Sequence, residues 1–383
     1  MTVPPSVIRV LVLFGGRSSE HEISCLSARG VLSAIDRQRY LVTTVGITRD
    51  GRWTLVDGVP PTPDGVLPCV ADDGDTVALV QTRKGPRLVR FRSSLASPTV
   101  AAGRPELVTG EDLGPVDVCF PVLHGPYGED GTVQGLLASL GVAYVGADVA
   151  SSAIAIDKSA TKSVFKARGL PQGPYLVVRR QAWDDDAGAT LAEAEAGLGY
   201  PMFTKPARQG SSIGIRRVAD RGELVAGIEE AFEYDRVAIV EQALVGVREL
   251  ECGVLGNAVI EVTRPGETVH TGPGFYDFEA KYRLPVRLRC PADVPEEIAR
   301  QCMAYAREAY LSIGARGMAR VDFFYDERAG RVLVNEINTI PGLTPTSMFP
   351  PVWAAEGVEF RALIDRLLDL ALEAAQAERR FAP

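Results

Sequence analysis

The chain has 383 residues, 46% of them apolar and 23% charged, and a net charge of −8. That length predicts two or three domains with ample core, and an acidic chain without a basic stripe argues against a nucleic-acid partner. Six cysteines with no C-x-x-C pair, beside only three histidines, exclude a zinc or disulfide framework and predict buried free thiols in a reducing cytoplasm.

The first apolar run, Val10 to Phe14, leads straight into Gly15 and Gly16, which predicts a strand and not a cleaved leader. Ile23, Leu26, Val31 and Ile35 then fall near one face of a helix, the opening of an α/β sheet. Residues 50–115 are dense in proline and glycine, with a hairpin expected around Asp50-Gly51, and are expected to form strands and surface loops. A buried strand in 116–125 and a short edge-like strand in 142–146 close a first domain near residue 147. The uncharged stretch 132–147 holds three glycines and is too short to span a bilayer, and no membrane partner is expected.

A helix is predicted over 157–169, then the strand "YLVVRR", then two strands around the glycine and serine loop of "YPMFTKPARQGSSIGIRRV"; this second block ends near Val240. In the remainder, Gly256-Asn257 marks a turn between strands and a long loop runs through 271–291. A helix over 295–313 begins at Pro295 and stops at Gly314, as capping preferences require. The hairpin "ARVDFFYDERAGRVLVNEIN" follows, and a helix with Phe360, Leu363, Ile364, Leu367 and Leu368 on one side ends the chain.

That hairpin carries the first chemical signal. Strand alternation places Arg320 and Asp322 on one face, and Glu336 and Asn338 on one face of the partner strand. Pairing across the 327–330 turn is expected to set Asp322 opposite Val334 and Arg320 opposite Glu336, so that all four polar groups converge. Burying a carboxylate costs several kcal/mol unless it is paired or bound to metal. Two carboxylates and an amide oxygen are hard donors suited to Mg²⁺; the plain alternative is a salt bridge from Arg320 to a carboxylate. The phosphate signal lies elsewhere. No Gly-Lys dipeptide occurs, which excludes a Walker A loop, and Gly15-Gly16 lacks the third glycine of a dinucleotide fingerprint. "KPARQGSSIG" offers a lysine and a loop whose backbone amides could fold over phosphates, although such a loop is by itself most often a hairpin turn. "AIVEQALVGVRELECGV" supplies an apolar strand, Glu241, a short link and Glu249, suited to adenine and ribose or, alone, to an ordinary strand pair with solvated acids.

Together, "LFGGRSSEHEIS", "HGPYGEDGTVQG", "KPARQGSSIG", "FYDFEAKY" and "ARVDFF" with "NEINTIPGLTPTS" closely resemble the separated motifs of the D-alanine–D-alanine ligase family of ATP-grasp enzymes. The resemblance implies an α/β, three-domain ATP-grasp fold: an N-terminal parallel α/β domain (1–147), a small central lid domain (148–240) and a C-terminal mixed-sheet catalytic domain (241–383). It implies a cytoplasmic enzyme, a homodimer through its first domain, that joins two D-alanines with ATP and two Mg²⁺ ions, Mn²⁺ serving as a substitute, for peptidoglycan precursor synthesis. By similarity, Lys158, Lys205 and Ser212 hold ATP phosphates, Glu241 and the Leu244 backbone read adenine, Glu249 takes the ribose, and Asp322, Glu336 and Asn338 hold metal. Arg320 and the Gly342 amide stabilise the oxyanion. Glu20 binds the first substrate's ammonium with His124 near that substrate, Ser211 and Tyr282 orient the second amine, and Lys281 and Ser347 receive the second carboxylate. Plain alternatives stand beside these roles: Glu20 suits a first-turn acid at a helix dipole, His124 a loop residue bonded to backbone, and Tyr282 apolar filler. Thr344 and Thr346 offer hydroxyls next to Ser347, and the "LVGVRE" link leaves the ribose position open by one residue. A depsipeptide ligase with D-lactate as acceptor is the nearest rival, and the tyrosine at 282 favours an amine acceptor.

Overall fold

The computed structural model describes residues 7–62, 66–93, 108–269, 287–344 and 346–380. They fall into two compact units, one formed by Met1–Gly128, Thr132–Gly146 and Phe360–Pro383, the other by Glu129–Gly131 and Ala147–Glu359.

The first unit is built on one sheet of eight strands: β1 (Ile8–Gly15), β2 (Tyr40–Ile47), β3 (Trp53–Val56), β4 (Thr76–Thr82), β5 (Gly85–Ser93), β6 (Val108–Pro115), β7 (Val118–Val122) and β8 (Ala143–Tyr144), in the order β6-β5-β4-β3-β2-β1-β7-β8. β1 pairs in parallel with β2 and β7, and β7 with β8. These strands are apolar without alternation because both faces are covered, and Val10 through Phe14 are all buried. The proline- and glycine-dense segment adds β3 to β6 as an antiparallel meander that widens the sheet. Arginines meet acids across its outer strands, Arg87 with Asp112 and Arg90 with Glu111, which keeps the edge polar and soluble. Helix α1 (His21–Ala34) turns Ile23, Cys25, Ala28 and Val31 inward. The chain's last helix (Phe360–Arg379) packs against β7 and β8 through Leu363, Ile364, Leu367 and Leu368. Arg39 is paired to its Asp369, and Asp36 to its Arg361.

The second unit holds two sheets. Four antiparallel strands, β9 (Tyr175–Arg179), β10 (Met202–Pro206), β11 (Arg216–Val218) and β12 (Val237–Gln242), carry Val178, Met202 and Val240 against Trp183 and Leu191 of the helix Arg180–Gly197 and Leu224 and Ile228 of the helix Arg221–Tyr234. The larger sheet has the order β16-β15-β13-β17-β18, with β14 on β13: β13 (Arg248–Gly256), β14 (Glu261–Val262), β15 (Gly266–Val269), β16 (Arg287–Arg289), β17 (Gly317–Asp326) and β18 (Arg331–Asn338). Every described pairing in it is antiparallel. The helix Glu296–Ser312 covers one face, burying Cys302, Ala306 and Tyr310 among Leu250, Val321 and Val334. On the opposite face the helix Phe349–Ala355 packs near Gly253 and Gly266, and the polar groups lie beyond it, toward Glu251, Asp322 and Glu336.

All six cysteines are free. Burial pushes the thiols of Cys25 and Cys302 up to about 12, which leaves them unreactive. Cys69 departs from the expectation of buried thiols: it is exposed, with its sulfur 3.4 Å from Nε2 of the buried His21.

Candidate active site

The site face of the larger sheet depends on one irregularity. The 327–330 turn leaves Asp326 opposite Arg331, and one-to-one pairing continued from there would set Asn335 against Asp322 and turn Glu336 into the core. A bulge between Asp322 and Phe323 takes up Asn335 as the extra residue. Asp322 therefore faces Glu336 and Arg320 faces Asn338, which corrects the expected partners Val334 and Glu336 while keeping all four groups on one face. The core-facing series of β18 records the shift: Val332, Val334 and then Ile337 are buried, a step of two followed by a step of three.

Glu251 on β13 pairs with the other side of Asp322, so that Glu251, Asp322 and Glu336 form a row of carboxylates across three strands. Like charges placed directly opposite are destabilising, and Arg320 answers them in part. Its Nε lies 2.7 Å from Asp322 Oδ1 and 2.7 Å from Glu251 Oε2, and its Nη2 lies 2.7 Å from Asp322 Oδ2. The salt bridge weighed as the plain alternative is thus present, but buried, with both side chains about 14% exposed or less. Asn338 Nδ2 donates to Asp322 Oδ2 at 3.1 Å, and Lys158 Nζ stands 3.9 Å from Glu336. Burial pushes the Asp322 carboxyl up, Arg320 pulls it back, and Glu251 and Glu336 push it up again, leaving it above the usual carboxylate range. Three carboxylates thus face one guanidinium and, 3.9 Å from Glu336, one ammonium. Among the described residues no three acidic, imidazole or thiol groups already surround one point. Two carboxylates and an amide fit Mg²⁺, whose remaining positions go to water and phosphate oxygens.

A second charged cluster lies on the four-stranded sheet. Glu241 is held between Lys162 Nζ, at 2.6 Å, and Lys205 Nζ. Burial alone would push its carboxyl up, but the two ammonium groups outweigh it and leave it at about 2. Lys162 also lies over the Tyr175 ring, 5.0 Å from its centroid. Asp157 caps the helix Lys158–Ala167 through the amides of Ser159 and Ala160, which fixes Lys158 in its first turn and Lys162 one turn on. Lys158 Nζ donates to the Gln209 carbonyl at 2.7 Å, so one lysine reaches from the glycine and serine loop to the acid row. In that loop Ser211 and Ser212 have φ of 47° and 60°. Left-handed serines cost about 1 kcal/mol or more each and concentrate at binding loops. Leu244 follows β12 in the link to β13, where Glu249 shares the site face with Glu251.

In the first unit, Glu20 stands at the N-cap of α1 with no side-chain cap hydrogen bond. Its carboxylate is buried against Gly125, where any Cβ would lie 2.5 Å from Oε2. His124, on the loop leaving β7, has Nε2 2.8 Å from the Ser27 hydroxyl, and its carbonyl accepts from Ser18 at 2.7 Å. In the second unit Gly342 and Ser347 come together: a Cβ on Gly342 would lie 2.4 Å from Ser347 Oγ. Thr344 Oγ1 bonds both that hydroxyl, at 2.7 Å, and Thr346, at 3.1 Å. Lys281 and Tyr282 lie outside the described residues.

Sequence reasoning passed over Glu251, Lys162 and Ser27. The first two carried a signal: Glu251 alternates with Glu249 along one strand, and Lys162 follows Lys158 by one helical turn. Ser27 carried none, since only the tertiary fold brings it to His124.

Two family models match, described as "D-ala D-ala ligase N-terminus" over residues 9–147 and "D-ala D-ala ligase C-terminus" over 164–369. The D-alanine–D-alanine ligase of Kineococcus radiotolerans is 47% identical over 95% of this chain and 96% of its own, and that of Paenarthrobacter aurescens is 44% identical over 95% of both. Among solved structures, the D-alanine-D-alanine ligase of Coxiella burnetii aligns with a TM-score of 0.78 at 31% identity, covering 98% of this chain and 97% of that one. The VanG D-Ala:D-Ser ligase of Enterococcus faecalis aligns at 0.76 and 33%, covering 96% and 100%. With both halves of the chain matched and its sheets arranged as in these structures, the chain belongs to the D-alanine–D-alanine ligase family and has its multi-domain ATP-grasp fold.

Proposed function

We propose that the chain joins two D-alanine molecules with ATP, through an acyl phosphate, to supply D-alanyl-D-alanine for peptidoglycan precursor synthesis in the cytoplasm. The observation that carries this reading is the gathering of Arg320, Asp322, Glu336 and Asn338 on one sheet face, with Lys158 reaching from there to the glycine and serine loop. The working division is three domains, 1–147, 148–240 and 241–383, the last lending its terminal helix to the first unit, and the working form is a homodimer. No helix among the described residues is long and apolar enough to cross a membrane.

A carboxylate resists attack by an amine because its oxygen leaves poorly, and phosphorylation supplies a better leaving group. In the first step an oxygen of one D-alanine carboxylate bonds the γ-phosphorus and ADP leaves; in the second the amine of the other D-alanine bonds the acyl carbon and phosphate leaves. Lys158, Lys205 and the loop amides at Ser211 and Ser212 position the phosphates, which is most of what phosphoryl transfer requires. Glu241 and the Leu244 backbone take adenine, and Glu249 the ribose. Asp322, Glu336 and Asn338 are the donors for two divalent ions, Mg²⁺ with Mn²⁺ as substitute, which when bound neutralise the charge of the transferring group. Arg320 and the Gly342 amide are fixed donors for the oxyanion. Glu20 takes the first ammonium with His124 beside that substrate, Ser211 and Tyr282 orient the second amine and aid its loss of a proton, and Lys281 and Ser347 take the second carboxylate.

Phosphate release from ATP and Mg²⁺ tests the reading, with D-alanine, L-alanine, D-alanine with D-lactate, and D-alanine with D-serine as the arms. Phosphate stoichiometric with dipeptide, fastest with D-alanine alone, is expected. A faster rate with D-serine or D-lactate would reassign the acceptor, and release without a condensed product would overturn ligation.

A further inference from the structure

The row of three carboxylates contains one member that the reaction above does not use. Glu251 lies on β13 next to Asp322 and on the far side of it from Glu336. Its side chain is 14% exposed and both of its oxygens are engaged, Oε2 with Arg320 Nε at 2.7 Å and Oε1 with the Thr268 hydroxyl at 2.7 Å. Its neighbours Leu250 and Cys252 face the core, so strand alternation alone delivers it to the site face.

Asp322 is meanwhile asked to serve two cations. Arg320 grips it through two nitrogens, while Asn338 Nδ2 donates to its Oδ2. An ionised aspartate has about four lone-pair sites, and a bidentate guanidinium with an added amide donor takes about three of them. If Arg320 had no other partner, it would follow Asp322 whenever that carboxylate turned to a metal, and would lose its aim at the reacting carboxyl. We propose that Glu251 is a positioning residue: clamped by Thr268 and ion-paired to the same Arg320 Nε that donates to Asp322, it gives the guanidinium a second anchor that holds when Asp322 turns to the metal, keeping Arg320 aimed at the oxyanion. The inference rests on the metal and oxyanion roles proposed above for Asp322, Glu336 and Arg320.

Its test uses the full chain with Mn²⁺ and ADP, reading Mn²⁺ affinity by electron paramagnetic resonance beside steady-state kinetics and the unfolding midpoint. Partners that orient a metal ligand typically change affinity or rate by about 10–100-fold when removed. Glu251→Gln keeps the size and loses the charge, and is expected to weaken Mn²⁺ by about tenfold and lower kcat by about 10–100-fold, with KM for ATP nearly unchanged. Glu251→Asp restores part of both, and Thr268→Val shifts both in the direction of Glu251→Gln by less. Wild-type Mn²⁺ affinity and kcat in Glu251→Gln, even with a lowered midpoint, would reduce Glu251 to a packing role and overturn the inference. Asp322→Asn and Glu336→Gln separate the two levels: if they weaken Mn²⁺ and Glu251→Gln does not, the positioning role alone fails, and if they leave Mn²⁺ affinity unchanged, the metal site falls and this role with it.

Discussion

Replacing Glu241 with glutamine removes the carboxylate held between Lys162 and Lys205 while keeping its shape. Its size can be worked out in two ways. Removing one partner of a buried ion pair costs about 3–5 kcal/mol, because the remaining charge stays buried without compensation. Independently, the Glu241 carboxyl is lowered from 4.5 to about 2, which at about 1.36 kcal/mol per pH unit is a stabilisation of the same order, a few kcal/mol. The sign follows from the depression: the stabilisation is complete above the ordinary value of 4.5 and is lost as pH falls through about 2. The gap between wild type and Glu241→Gln should therefore be widest at neutral pH, about 3–5 kcal/mol, and narrow as the pH falls below 4.5 toward about 2. Urea unfolding followed by Trp183, which packs in the core of the same sheet, reads this when Trp53 and Trp353 are changed to phenylalanine. Adding Lys162→Met should recover part of the loss by removing one uncompensated ammonium. A difference under about 1 kcal/mol, or one that stays constant as the pH falls, would refute the view that this triad is a charge-compensated element of the four-stranded sheet.

Glu336→Gln should abolish turnover while circular dichroism and the unfolding midpoint stay close to wild type, because the Glu336 side chain is 31% exposed and the substitution keeps its size; normal turnover would remove Glu336 from the metal donors. Gly342→Ala places a methyl 2.4 Å from Ser347 Oγ, and displacing that hydroxyl should raise KM for the second D-alanine and cost about 1–3 kcal/mol of stability. In the native protein one thiol should react rapidly with a disulfide reagent, and Cys69→Ser should remove that fast phase, since Cys69 is the exposed cysteine.

The parallel half of the first sheet was legible because strands buried on both faces read as unbroken apolar runs, as Val10 to Phe14 do. The meander from residues 50 to 115 was less so, since its strands alternate and are interrupted by turn residues that also mark loops. In the candidate site, periodicity alone puts Arg320 with Asp322 and Glu336 with Asn338 on one face of each strand, but whether the two faces coincide, and which residues pair, is decided by the single extra residue at Asn335. The spacing of Val332, Val334 and Ile337 held that information. The buried union of Glu241 with two lysines was not visible: it joins a strand to a helix 79 residues earlier, and no local pattern reports a contact of that separation.

The first unit draws its sheet and α1 from the start of the chain but its covering helix, Phe360–Arg379, from the end, with the whole second unit encoded in between. Domains made on the ribosome generally fold as their residues emerge. Here β7 and β8 must wait for Leu363, Ile364, Leu367 and Leu368 until translation has passed the second unit, so a nascent chain carries an uncovered apolar sheet face for most of its synthesis. Chaperone dependence during production, and sensitivity to truncation at the carboxyl end, follow from that order of assembly.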